Sequence, residues 1–146
     1  MTTIGPALPS DTYPLRLAVL APGGALGMTD AEAAPPALHL AARDDAGRVI
    51  GSMHLAPRAC PWRPDARAAW QLRTMATDPA ARGTGAGIAL VEDGLERLRA
   101  AGADLVWCNA RATAEGFYLR LGFATVSEPF VEGDSGLDHV GMLRAP

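Results

Sequence analysis

"MATDPAARGTGAGIALVEDGL" (residues 75–95) decides the fold. A strand-like run ends at Thr77, a loop containing Pro79 follows, and Arg82 with three glycines, Gly83, Gly85 and Gly87, leads into an amphipathic segment. Ile88, Val91, Leu95 and Leu98 recur there at the period of an α-helix, with Glu92, Asp93, Glu96, Arg97 and Arg99 on the other faces. The spacing predicts a helix over 84–101, ended by Gly102. Glycines at a helix entrance let backbone N–H groups approach a ligand with no Cβ in the way, and the helix adds about half a positive charge at the same point. The Arg82 guanidinium can donate two parallel hydrogen bonds to a phosphate. The stretch therefore reads as an anion site, with a glycine turn that merely lets the helix pack on a sheet as the plainer alternative.

Two common phosphate motifs are excluded by spacing. A dinucleotide fingerprint starting at Gly83 needs glycine at 88, where Ile88 stands. A P-loop needs a lysine, and all 13 basic side chains of this chain are arginine.

Outward from this stretch the chain alternates strands and helices. Thr2 to Ala7 reads as a strand, and Ser10 as the cap of a helix carrying Leu15, Ala18 and Val19, stopped at Pro22. Thr29 and Glu32 have capping-box spacing. Ala37–Asp44 and Val49–Pro57 alternate around "DDAGR", predicting a hairpin turned by Gly47. "PRACPWRPDARAA" (57–69) is a proline-rich loop, and "WQLRTMAT" (70–77) a strand with Gln71, Arg73, Met75 and Thr77 on one face. "DLVWCNA" suits a buried strand, and Ala114, Phe117, Tyr118 and Leu121 form a helical face stopped by Gly122. Ala124–Glu132 and Leu137–Arg144 read as final strands. The class is α/β (α+β).

At 146 residues the expectation is a single domain, 1–146. A net charge of −3 with dispersed arginines speaks against nucleic acid. No long apolar run or secretion-type leader is seen, so neither a membrane nor export is expected and the location is read as cytoplasmic. Cys60 and Cys108 are expected as free thiols, and the three histidines and two cysteines lack metal-site spacing, so no metal is expected.

Residues 75–95 resemble the R-G-x-G-x-G/A motif of the GNAT superfamily of N-acetyltransferases, in which a strand and a short loop open a helix. "ARATAEGFYLRLGF" (110–123) resembles the superfamily's second signature, A-x-x-F/L-Y-x-x-x-G-F. Together they cover about residues 68–143. The resemblance implies a mixed, largely antiparallel sheet of about six to seven strands flanked by helices, with a splayed strand pair forming an acetyl-CoA cleft. It implies acetyl-CoA as cosubstrate, its pyrophosphate on Arg82, Gly83, Thr84, Gly85, Ala86 and Gly87 and its pantetheine along Met75, Ala76 and Thr77. Tyr118 matches the tyrosine that protonates the departing thiolate, a role suited to a phenol of ordinary pKa about 10. The pantetheine-holding asparagine of many members falls on Arg111 here, with Asn109 two residues earlier, so both are candidates.

"WQLRTMAT" lacks the carboxylate that often serves as base. The base is left open among His139, His54 and ordered water, with His139 the catalytic candidate beside Tyr118. The implied activity is acetyl transfer to a primary amine by direct attack on the thioester; a non-catalytic acyl-CoA sensor is the alternative. The acceptor is a small-molecule or peptide amine, with residues 21–36, "PRACPWRPDARAA" and the acidic stretch Glu128, Glu132, Asp134 and Asp138 as its recognition regions. Trp62 could close over a substrate or pack on the hairpin. An exposed edge strand could pair with a second copy in a homodimer.

Overall fold

The computed structural model describes residues 1–146; the side chain of Asp134 lies outside the described residues. In chain order the elements are β1 (Thr3–Pro6), α1 (Pro9–Leu20), β2 (Leu38–Arg43), β3 (Val49–Pro57), β4 (Ala69–Thr77), α2 (Ala86–Ala100), β5 (Leu105–Arg111), α3 (Glu115–Arg120), β6 (Ala124–Thr125), β7 (Phe130–Val131) and β8 (Asp138–Arg144). They build an eight-stranded sheet in the order β1-β2-β3-β4-β5-β8-β6, with β7 also on β8. Described pairings are antiparallel except β4 with β5, which are parallel because α2 carries the chain back across the sheet. The eighth strand arises because the segment after Gly122 breaks at Val126–Pro129 into two short strands.

The chain divides into two compact units, Met1–Ala56 with Arg73–Arg97 and Pro57–Leu72 with Leu98–Pro146. In the first, the hairpin turns as expected: Gly47 adopts a left-handed φ of 80°, and its N–H donates to Asp44 O at 2.9 Å. Leu40, Met53, Leu55, Leu90 and Val91 are buried there. A Cβ on Gly94 of α2 would overlap the methyl of Met53, so glycine is what lets this helix lie against β3. The buried face of α2 carries Leu90, Val91, Leu95 and Leu98; Ile88, expected inside, lies in the first turn of the helix and is 40% exposed.

Helix α1 departs further from its expected pattern. Its buried side is Pro9, Thr12 and Arg16, not Leu15, Ala18 and Val19. Ser10 is not its cap: Asp11 accepts from Leu8 N–H at 3.0 Å, while Ser10 donates N–H and O–H to Asp30 at 2.8 and 2.9 Å. Thr29 and Glu32 do form the capping box, opening a 3-10 turn at Asp30–Ala33.

In the second unit, Cys60, Ala69, Leu105, Trp107 and Leu143 form a core on which Trp62 packs. A Cβ on Gly141 would fall inside the Trp62 indole, so glycine at this point of β8 makes room for the ring. Trp62 therefore packs on β8 and edge-on to Trp107, at 5.8 Å between centroids, and not on the hairpin. The loop is tied down at its end by Asp104, whose carboxylate accepts from Arg67 and Ala68 N–H at 2.8 and 3.0 Å. Schellman-type bonds close α2, with Gly102 left-handed at φ 84° and Ala103 N–H on Leu98 O at 3.0 Å.

Candidate active site

The turn before α2 is built by Asp78, which caps the 3-10 turn Pro79–Ala81 by accepting from Ala80 N–H at 2.9 Å. Gly83 and Gly85 then take φ of 78° and 85°, a region that L side chains avoid, and a Cβ on either would meet nothing within 4 Å. The backbone here therefore faces open space. Ala89 N–H reaches Gly85 O at 2.9 Å, so the N–H groups of Ala86, Gly87 and Ile88 precede the first intrahelical bond and lack helical acceptors. Two expected donors are taken by the turn itself: Arg82 N–H and Thr84 N–H each give to a carbonyl, Pro79 O and Ala81 O, at 3.3 Å. Thr84 Oγ1 also donates to Ala81 O. Arg82 is exposed and contributes its guanidinium; Ile88 N–H is a donor that the hydrophobic pattern concealed.

β4 holds a feature with no signal in the sequence. Thr74 has φ 49°, left-handed for a β-branched residue, which costs about 1–3 kcal/mol and marks a constrained site. The residue breaks the alternation expected across "WQLRTMAT": Gln71 is buried, Arg73 exposed, and Met75 and Thr77 half-buried. Among the described residues Thr74 Oγ1 is buried without a partner. The ladder of β4 with β5 is recorded at Ala69, Trp70 and Gln71 against Leu105, Val106 and Trp107.

In the second unit Asn109 of β5 and His139 of β8 are joined by a residue that the sequence placed only in an acidic loop. Glu132 Oε1 accepts from Asn109 Nδ2 at 3.0 Å, and Glu132 Oε2 lies 3.3 Å from His139 Nε2. The amide orientation of Asn109 is thereby fixed, and among the described residues its Oδ1 is buried without a donor. His139 Nδ1 donates to Leu137 O at 2.8 Å. Both ring nitrogens of His139 thus face oxygens, and Nε2 points at Glu132; its assignment as a free general base does not fit this geometry. Phe130 stacks on the His139 ring at 6.1 Å. Arg111, opposite His139 across the β5–β8 ladder, is half-buried.

Tyr118 is elsewhere. It neighbours Cys108, which points to the opposite face of β5 from Asn109, so the two catalytic candidates Tyr118 and His139 lie on opposite faces of that strand. Tyr118 is buried, edge-on to Phe117 and Phe123. Burial, and secondarily Cys108, push its phenol well above the ordinary value, so it stays protonated as a hydrogen-bond donor. Burial pushes the Cys108 thiol up to about 12, which removes it as a thiolate nucleophile. His39 and His54 are buried against each other in the first unit, with Nδ1 to Nδ1 at 3.3 Å.

The pattern described as acetyltransferase (GNAT) domain matches residues 28–144. The chain belongs to the GNAT acetyltransferase family. It is 33% identical over 136 residues to the uncharacterized N-acetyltransferase YitI of Bacillus subtilis, covering 92% of this chain and 89% of that one. Its fold is shared with Escherichia coli ElaA, at 19% identity and a TM-score of 0.76 over 99% of both chains. It is also shared with an aminoglycoside 6′-N-acetyltransferase complexed with coenzyme A, at 12% identity and a TM-score of 0.76 over 98% of this chain and 96% of that one. The protein is an N-acetyltransferase of the GNAT type, moving an acyl group from CoA. Among the described residues no helix is long and apolar enough to cross a membrane.

Proposed function

We propose that this GNAT protein transfers the acetyl group of acetyl-CoA to a primary amine by direct attack within a ternary complex, the 1–146 chain serving as one catalytic domain in the cytoplasm. The observation that carries the reading is the pair of left-handed glycines, Gly83 and Gly85, open to solvent at the entrance of α2. The residues present fit the cofactor. The N–H groups of Gly83, Gly85, Ala86, Gly87 and Ile88 with the Arg82 guanidinium suit its pyrophosphate. The backbone of Met75–Thr77, after the Thr74 kink, suits its pantetheine as an added strand. The unpartnered Oδ1 of Asn109 suits an amide N–H, with Glu132 and His139 as the positioning residues that hold that amide.

In this reading the amine nitrogen attacks the thioester carbon, the N–C bond forms as the C–S bond breaks, the surplus proton on nitrogen passes to water, and the sulfur leaves as a thiolate that accepts a hydrogen bond from Tyr118 O–H. Because its pKa is raised above that of a thiol, Tyr118 acts chiefly by hydrogen bonding to developing charge. The buried, protonated Cys108 favours direct transfer over an acyl-enzyme.

The test is the melting temperature with and without millimolar acetyl-CoA. Ligand at about 100 times Kd adds about 2.7 kcal/mol, several degrees for a domain of this size. The rise is expected in the wild type and absent in an Arg82→Ala, Gly85→Val double variant; no rise in the wild type defeats the reading. Tyr118→Phe is expected to keep the rise and lose about 100-fold in kcat, and unchanged turnover would remove Tyr118 from the chemistry.

A further inference from the structure

In the first unit a cavity of about 410 Å³ opens between the start of α1 and the turn before Asp30, lined by Pro9, Ser10, Tyr13, Met28, Thr29 and Asp30. Its size lies within the roughly 300–1,000 Å³ of small-molecule pockets. None of these side chains has a part in holding the cofactor. Asp30 ties the two walls together: Ser10 donates N–H to Oδ1 at 2.8 Å and O–H to Oδ2 at 2.9 Å. Each carboxylate oxygen keeps a further lone pair, and among the described residues no cation stands within ion-pair distance of Asp30. The Arg16 guanidinium lies behind the wall. It is fully buried, 5.7 Å from the Tyr13 ring centroid, and gives Nε–H and Nη2–H to Thr12 Oγ1 and Pro9 O.

The lining restricts what can fit. An anion would meet the Asp30 carboxylate with no paired cation beside it. A hard metal ion takes about six oxygen ligands, and among the described residues no group of three or more His, Cys, Asp or Glu is placed to hold a metal. A neutral apolar molecule would strip water from the carboxylate and return nothing. An alkylammonium group answers both parts of the lining. Its N–H groups match the open lone pairs of Asp30, and its methylenes suit the Tyr13 ring, the adaptable Met28 thioether and the Pro9 ring. The same segment leads toward the acyl site. Glu32, two residues beyond Asp30, is within electrostatic reach of Arg73, and Arg73 directly precedes the Thr74 kink where the proposed pantetheine track begins.

We propose that this cavity binds an organic ammonium group, and that the acceptor is an amine with a second ammonium on an aliphatic arm, held at Asp30 while the reacting nitrogen meets the thioester. Asp30 is then a specificity residue, with Tyr13 and Met28 as the wall for the arm. The acceptor assignment rests on the acyl-transfer reading; ammonium binding in the cavity does not.

The test is NMR of the full chain carrying carbon-13 methionine methyl groups. Met28 reports on the cavity, Met75 on the cofactor track, and the fully buried Met53 and Met142 on the fold. Butylammonium is the probe, with butanol and butyrate as controls at equal ionic strength. Butylammonium is expected to move Met28 saturably while Met53 and Met142 stay still. Asp30→Asn, which keeps an acceptor for Ser10, should weaken that binding about tenfold, and Tyr13→Leu should weaken it as well. No movement of Met28, an equal movement with butanol or butyrate, or unchanged affinity in a folded Asp30→Asn protein overturns the site. Should that variant not fold, the wild-type series and Tyr13→Leu decide. In turnover, diaminobutane is expected to show a KM about tenfold below that of butylamine, a gap that Asp30→Asn closes. Equal KM values, or no turnover of either amine by a protein whose Met75 responds to acetyl-CoA, overturn the acceptor assignment. A Met75 signal that ignores acetyl-CoA counts against the cofactor reading, so the two fail separately.

Discussion

His39 and His139 are the same side chain in two kinds of surroundings. His39 lies in a buried polar chain with His54, Thr12 and Arg16, and burial drives its ring neutral. His139 is also buried but reaches a half-exposed carboxylate, Glu132, that ties it to Asn109. In the first unit the polar groups around His39 are buried at high desolvation cost, and Arg16 Nη1 finds no partner among the described residues; in the second the cluster ends on a carboxylate that is half-exposed. A histidine's surroundings thus depend on which partner its strand register delivers, and the residue type alone does not distinguish a ring buried against another histidine from one that faces a carboxylate.

The largest way to sharpen this contrast is pH. His39 has a folded pKa of about 4 against about 6.5 when unfolded, so below 6.5 the unfolded chain takes up a proton that the folded one refuses. Stability contributed by the neutral ring is whole above 6.5, falls as pH drops through the window to about 4, and levels off below it. The loss from His39 is about 3 kcal/mol. Urea midpoints between pH 7 and 4 should show it, and His39→Gln should flatten the slope; an equal slope in the variant would assign the acid sensitivity to other groups.

Thr12→Val comes next. It is close to isosteric but leaves Arg16 Nε–H and His39 Nε2 without their partner, at a cost of about 1–3 kcal/mol in urea unfolding. A neutral result would break the comparison, since the chain would then be packing only. The smallest effect is expected at the rim: Glu132→Gln should change stability by less than about 1 kcal/mol, because the carboxylate is half-exposed. It should nonetheless weaken acetyl-CoA binding, since the Asn109 amide loses its fixed orientation; calorimetric titration with unchanged affinity would detach Glu132 from the cofactor.

The turn of the candidate site was legible because its logic is local. Arg82, Gly83, Gly85 and Gly87 stand within six residues of each other, and the turn they make depends on φ angles that only glycine tolerates and on the end of one helix. Tyr118 was likewise carried by a contiguous signature. Ile88 was misplaced because helical periodicity says which residues share a face but not whether anything covers the first turn, and Ser10 because an N-cap competes with any carboxylate that the fold brings near, here Asp30. Thr74 was invisible, since no residue type advertises a left-handed kink paid for by the strands around it.

By itself, then, the sequence determined the alternation of strands and helices and the glycine turn that opens α2, which follow from spacings of a few residues, and it carried two contiguous motifs that resemble the family's. Only the tertiary structure decided that Glu132 brackets Asn109 with His139, that Trp62 covers Gly141, and that a buried arginine and threonine of α1 meet two histidines from β2 and β3. Those outcomes depend on strand register and burial. Each joins groups distant in the chain, and in a dry interior the identity of the nearest partner sets whether a side chain donates, accepts or carries charge.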